Sequence, residues 1–121
     1  MRIPENHSLI YNFLEKVEGP MSAEEIKFEL HSAKIGIATI YRALNRGVEI
    51  GKLKEIDFPS GGKRYESKGL SHHHHFICDA CDKAYDIPGC PKSIEKLLPK
   101  GFVLTGHEIY LYGQCVNCSS T

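Results

Sequence analysis

The sequence predicts an α+β chain of two small domains, and three observations carry that expectation. Over residues 1–67 two apolar helical periods, with a helix-opening capping box between them, are followed by a β-hairpin pattern. The stretch Lys68-Gly69-Leu70-Ser71 then interrupts every periodicity and reads as a hinge over 68–71. Over 72–121 the order changes to strand, turn, strand, helix and strand, and two Cys-x-x-Cys pairs, Cys78/Cys81 and Cys115/Cys118, bracket it. The chain has 121 residues. A domain of about 60 residues buries too little surface to be comfortably stable alone, so a metal or a second copy of the chain is expected to share the stabilisation.

The first helix is expected over His7 to Val17, where Leu9, Ile10, Phe13, Leu14 and Val17 fall on one face. Gly19-Pro20 ends it. Ser22 and Glu25 form a capping box that opens a second helix running to about His31. A third helix follows Gly36. In it Ile37, Ile40, Tyr41, Leu44 and Val48 repeat at three and four residues, leaving Thr39, Arg42, Asn45 and Arg46 toward solvent. Strands over Leu53–Phe58 and Lys63–Ser67 flank a Pro59-Ser60-Gly61-Gly62 turn. Three helices and a hairpin in this order are those of a winged helix-turn-helix, with the third helix as the recognition helix and the hairpin as the wing. In the second domain strands are expected over His73–Cys78 and Ala84–Ile87. A helix should run from Pro91 to Leu98 before Pro99 stops it, and a last strand from Phe102 to about Tyr112. The sheet of this α/β unit needs a cover, which a second copy of the chain would supply.

Net charge is zero, from 15 basic and 15 acidic residues. No global field marks a nucleic-acid partner, but the charge is uneven. Between Lys34 and Lys54 the cations Lys34, Arg42, Arg46, Lys52 and Lys54 face a single anion, Glu49, which gives a local positive stripe. The N-terminal segment has no apolar run suited to a signal peptide, and no stretch reaches the roughly 18 apolar residues of a membrane span. An intracellular, cytoplasmic protein with no membrane partner is expected. In a reducing compartment two CxxC pairs are metal sites more often than disulfides, and a redox CxxC motif is usually single.

Cys78, Cys81, Cys115 and Cys118 offer the soft, tetrahedral set that a structural zinc ion takes, two sulfurs from each of two tight turns. Such a zinc ties the C-terminal tail to the first hairpin and holds the second domain folded. Cys90 is left over and reads as a capping or partly buried residue just before a helix, in preference to a ligand or redox role. The run His72 to His75 leads directly into the first pair. On an extended strand His73 and His75 point one way and His72 and His74 the other. Glu66 and Asp86 can join the first pair, and Glu95 and His107 the second. Imidazole with carboxylate suits Fe2+, Mn2+, Co2+, Ni2+ or Zn2+.

The order winged helix, His-rich strand, CxxC, strand, helix, strand, CxxC resembles the ferric uptake regulator (Fur) family of bacterial metalloregulators over nearly the whole chain. Its most specific stretches are GIATIYRAL (36–44), HHHHFICDAC (72–81) and HEIYLYGQC (107–115). The resemblance implies a homodimer that binds AT-rich inverted repeats in double-stranded DNA when loaded with a divalent metal, and that usually represses transcription. It matches the four cysteines to a structural zinc site, and Glu66, His73, His75 and Asp86 to a regulatory site for Fe2+, Mn2+ or Zn2+. His72, His74, Glu95 and His107 match an additional site. Tyr41 and Arg42 fall where the recognition helix meets DNA, with Arg46 and Lys52 as further contacts. Two departures stand out: Pro20 occupies a position where relatives place a histidine ligand, and His74 one often held by Asp.

Two rivals come from other classes. A zinc-stabilised winged-helix module with idle histidines would bind DNA regardless of added metal. A small metallohydrolase would need a general base and a cleft, and the chain has no HExxH, nucleophile elbow or phosphate loop. A non-enzymatic regulator is therefore expected, with a peroxide-sensing member of the same family as a variant of that reading.

Overall fold

The computed structural model describes residues 3–59, 61–69, 73–91 and 93–119. Ser60 of the expected turn, Leu70 and Ser71 of the expected hinge, and His72 lie outside them. The chain divides into two compact units, Met1–Leu70 and Ser71–Thr121.

In the first unit, helices α1 (Glu5–Lys16), α2 (Ala23–Glu29) and α3 (Ile37–Glu49) precede a two-stranded antiparallel sheet, β1 (Leu53–Asp57) and β2 (Lys63–Ser67). This is the winged-helix order that the sequence predicts. The capping box is present as expected: the Glu25 N–H donates to Ser22 Oγ at 3.1 Å, and the Ser22 N–H donates to Glu25 Oε1 at 3.0 Å. Helix α2 stops earlier than expected, and a separate 3-10 turn, His31–Ala33, carries the chain to Lys34, whose φ is +56°.

The core gathers Ile10, Tyr11 and Leu14 of α1, Ile26 of α2, Ile40, Ala43 and Leu44 of α3, Leu53 of β1 and Tyr65 of β2. The buried face of α3 is rotated from the expected one. Ala43 and Gly47 are buried, whereas Tyr41 and Val48 are 41% and 38% exposed. The cause is close approach. A Cβ on Gly47 would stand 2.6 Å from Leu53 Cδ1 and 2.9 Å from Tyr11 Cε1, so small residues here let β1 and α1 reach the helix. The Tyr11 hydroxyl completes the junction by donating to the Ala43 carbonyl at 2.7 Å. Beyond the hairpin register Leu53↔Ser67 to Asp57↔Lys63, β2 also bridges to Met21, whose N–H donates to the Tyr65 carbonyl at 3.0 Å.

In the second unit a three-stranded sheet has the order β4-β3-β5, with β3 at His73–Cys78, β4 at Ala84–Pro88 and β5 at Tyr110–Gly113. Strand β3 runs antiparallel to β4 and parallel to β5. The expected helix from Pro91 to Leu98 is reduced to a 3-10 turn, Ile94–Leu97. Ser93 provides no capping hydrogen bond, Pro99 disfavours helix at Leu98, and the short span between prolines does not repay helix nucleation. The expected strand from Phe102 is regular only from Tyr110 onward. A short helix the sequence did not announce, α4 (Val116–Ser119), follows Cys115. No helix of the described residues is long and apolar enough to cross a membrane.

Candidate metal centres and nucleic-acid interface

Four sulfurs converge in the second unit. Cys78 ends β3, Cys81 lies in the tight turn that follows, Cys115 follows β5, and Cys118 is carried by α4. Their Sγ atoms all lie within 4.8 Å of one another, and Cys81 and Cys115 are 3.9 Å apart. Sulfurs sharing a tetrahedral zinc at about 2.3 Å stand roughly 3.8 Å apart, so the set fits that ion. The turns are built for it. The Cys115 and Cys81 N–H groups each donate to Cys78 Sγ at 3.4 Å, and Asp82, with φ +63°, returns its N–H to the Cys78 carbonyl at 2.8 Å. Those backbone donors lower the Cys78 pKa to about 6, whereas the neighbouring Cys115 and Cys78 sulfurs push Cys118 up to about 12. Sulfurs this close resist becoming thiolates together unless a cation joins them.

The alternation expected along β3 separates two further clusters. On one face, Asp86 lies directly across from His75 in the β3/β4 register. Its Oδ1 is 3.3 Å from His73 Nε2 and 3.6 Å from His75 Nε2. The two imidazoles meet edge to face at 4.9 Å, and His75 stacks on Tyr110 of β5 at 5.8 Å. Two imidazole nitrogens and a carboxylate, aimed at one point and partly buried, suit a first-row divalent ion. Glu66 is buried on β2 of the first unit.

On the other face His74 meets His107, with Nε2 atoms 3.2 Å apart. The third member of this cluster is Cys90, whose Sγ lies 2.8 Å from His107 Nε2 and 3.4 Å from His74 Nε2. The expected grouping set His72 and Glu95 beside His74 and His107. Glu95 sits exposed on the 3-10 turn and joins none of the convergent groups among the described residues. The collapse of the expected helix to one turn is the physical reason, since that helix was to carry Glu95 toward the histidines. His72, the remaining expected member, lies outside the described residues. Sequence reasoning preferred a capping or partly buried role for Cys90, the odd cysteine after two pairs had been assigned, over a ligand role, whereas the structure leaves it exposed beside two histidines.

In the first unit Arg42 and Asn45 are exposed along α3, and Thr39 and Arg46 are half-buried. Arg42 Nη2 donates to Thr39 Oγ1 at 2.9 Å, which orients the guanidinium along the helix surface. The Tyr41 hydroxyl donates to Glu24 Oε1 at 2.8 Å, so its ring is outside the core and tethered to α2. Lys52 is exposed in the turn between α3 and β1. The local field is positive: burial, then the Arg46 and Arg42 charges, lower the pKa of His7.

The profile of the "Ferric uptake regulator family" matches residues 1–112. The chain belongs to this family. The ferric uptake regulation protein of Campylobacter jejuni is 39% identical over 99 residues, covering 79% of this chain and 63% of that protein. That of Campylobacter upsaliensis is 36% identical over 98 residues, covering 78% and 63%. The chain thus spans 63% of the length of both relatives. Among solved structures, the Vibrio cholerae ferric uptake regulator superposes with a TM-score of 0.73 at 28% identity, covering 95% of this chain and 92% of that one. A zinc-bound manganese uptake regulator superposes with a TM-score of 0.79 at 30% identity, covering 96% and 92%. The second cysteine pair lies just past the residues that the family profile matches.

Proposed function

We propose that the chain is a metal-dependent, DNA-binding transcriptional regulator that acts as a homodimer, represses its targets, and reads AT-rich inverted repeats. The observation that carries this reading is the pairing, in one member of the ferric uptake regulator family, of a winged helix bearing a basic third helix with a separate unit holding the His73, His75 and Asp86 cluster. Its relatives are named for ferric uptake regulation and, in one solved structure, manganese uptake regulation with zinc bound.

In this reading residues 1–67 bind DNA, 68–71 act as the hinge, and 72–121 dimerise and sense metal. Cys78, Cys81, Cys115 and Cys118 hold a structural Zn2+. His73, His75 and Asp86 hold the regulatory ion, and Glu66, which precedes the hinge in the chain, is the ligand recruited from the first unit. A bound Fe2+, Mn2+ or Zn2+ supplies a positive charge that these side chains satisfy together in only one arrangement. Such differential affinity shifts a population, and moving an equilibrium from 1:99 to 99:1 takes about 5.5 kcal/mol. Arg42, Arg46 and Lys52 supply phosphate and base contacts, with Thr39 and Asn45 alongside, and the exposed ring of Tyr41 suits a thymine methyl. Exposed Leu97, Phe102, Val103, Leu111 and Tyr112 give the second unit an apolar surface that a second copy covers.

The test is fluorescence anisotropy of a labelled AT-rich inverted-repeat duplex, with Mn2+ as a divalent ion stable in air. Metal should tighten binding at least about tenfold, or roughly 1.4 kcal/mol. The double variant His73→Ala, His75→Ala should lose that gain while keeping its zinc. Binding of equal strength with and without metal would instead support the non-sensing winged-helix module.

A further inference from the structure

The cluster of His74, Cys90 and His107 is the convergent ligand group that the proposed function leaves unused. It draws on three separate stretches: β3, the turn after β4, and the irregular segment before β5. Gly89, with φ +90°, turns the chain just past β4, and the residue it delivers is Cys90. Two ligands on one tetrahedral ion stand about 3.3 Å apart for nitrogen with nitrogen, and about 3.6 Å for nitrogen with sulfur. The separations of 3.2 Å for His74 with His107 and 3.4 Å for His74 with Cys90 fit a shared ion. The 2.8 Å between Cys90 and His107 is tighter, and has to open by less than about 1 Å for an ion of those bond lengths.

We propose that in this chain the additional metal site, which the family resemblance places at His74 and His107, takes Cys90 as a thiolate ligand, with Cys90 and His107 as anchors and His74 as the third ligand, and so takes a thiophilic divalent ion of the zinc class. The anchors are ranked by hydrogen bonding. The Ile109 N–H donates to His74 Nδ1 at 3.2 Å, which leaves the proton of the neutral, metal-free ring on Nε2. An ion must displace that proton and loosen the Ile109 bond, so His74 joins last and most weakly. Binding also releases the thiol proton of Cys90. The chemistry of selection follows from the donors. A carboxylate at this place would favour Fe2+ or Mn2+, whereas sulfur with two imidazoles favours Zn2+ and Co2+ over both.

The proposal rests on the second unit alone, and none of its readouts involves DNA. The probe is Co2+, titrated into the full chain with its zinc already in place, followed by near-ultraviolet absorption and by elemental analysis. A sulfur-to-cobalt charge-transfer band should grow to one equivalent beyond the resident zinc. It should vanish in Cys90→Ser and persist in His73→Ala. His107→Ala should weaken cobalt binding at least about tenfold, and His74→Ala less. Zn2+ should slow alkylation of Cys90 several-fold in the wild-type chain, a check that needs no substitution. A charge-transfer band that survives Cys90→Ser, cobalt binding without such a band, or an alkylation rate indifferent to Zn2+ would each overturn the proposal.

Discussion

The two units of this chain are stabilised by different physics. The first closes on a continuous apolar core drawn from α1, α2, α3 and the hairpin. In the second, the buried apolar residues among those described are Ile77, Cys78, Ala84 and Cys115, and two of these four are candidate metal ligands. Its interior also takes in His74 and His75, polar groups whose burial is costly unless something satisfies them. On the proposed function, one unit folds by excluding water, and the other by assembling metal ligands. A small domain can be built either way, but only the second makes its stability an outcome of metal supply.

The largest test of this contrast is metal removal. Apparent energies for structural zinc run about 10–16 kcal/mol, as large as the whole stability of a small domain. Stripping the four-cysteine site with a strong chelator, or replacing Cys78 with Ser, should unfold the second unit. Amide exchange would then show β3, β4 and β5 unprotected while α1 and α3 stay protected. Equal loss in both units would break the contrast. The converse perturbation is Leu44→Ala, which truncates a fully buried side chain and should cost the first unit about 2–5 kcal/mol, leaving zinc content unchanged. Next in size is Gly47→Ala, whose new methyl meets Leu53 and Tyr11 and should cost about 1–3 kcal/mol by overpacking. Denaturant melts with the zinc retained would check both.

Legibility in the sequence follows the same division. The first unit is written in local signals, and most of these could be read: the capping box at Ser22, the period of α1, and the turn between β1 and β2. Its main misreading, the face of α3, arose because Ala43 and Gly47 are small, and smallness signals a close approach only once the partner is known. In the second unit the cysteine pairs and the alternation of the histidines were legible, since spacing alone expresses them. The helix expected from Pro91 and the long last strand were not, because Pro91 and Pro99 bound too short a span and the pairing of the last strand with β3 begins only at the Ile109 carbonyl, which accepts from the His75 N–H. The ligand role of Cys90 was ranked second for a related reason. Its ligand character comes from where the Gly89 turn delivers it, next to a histidine 17 residues away in sequence, and no local pattern contains that.

The smallest effect probes the local end of the contrast. Helix α2 has only 7 residues, so its first turn is a large fraction of its hydrogen bonding. Ser22→Ala removes the acceptor for the Glu25 N–H and should cost about 1 kcal/mol, whereas Ser22→Gly should cost only a few tenths. Glu25 complicates the comparison usefully, because its Oε1 also accepts from Arg64 Nη1 at 3.0 Å, and the Arg64 side chain is only 6% exposed. If the box and the ion pair act as one network, the double variant Ser22→Ala, Glu25→Ala will differ from the sum of the singles by 0.5 kcal/mol or more, roughly the range for residues in contact. Additive losses would mean that the cap and the ion pair stabilise α2 separately. Either result should leave the metal content of the second unit unchanged, because a short helix cap belongs to the unit that folds on its apolar core.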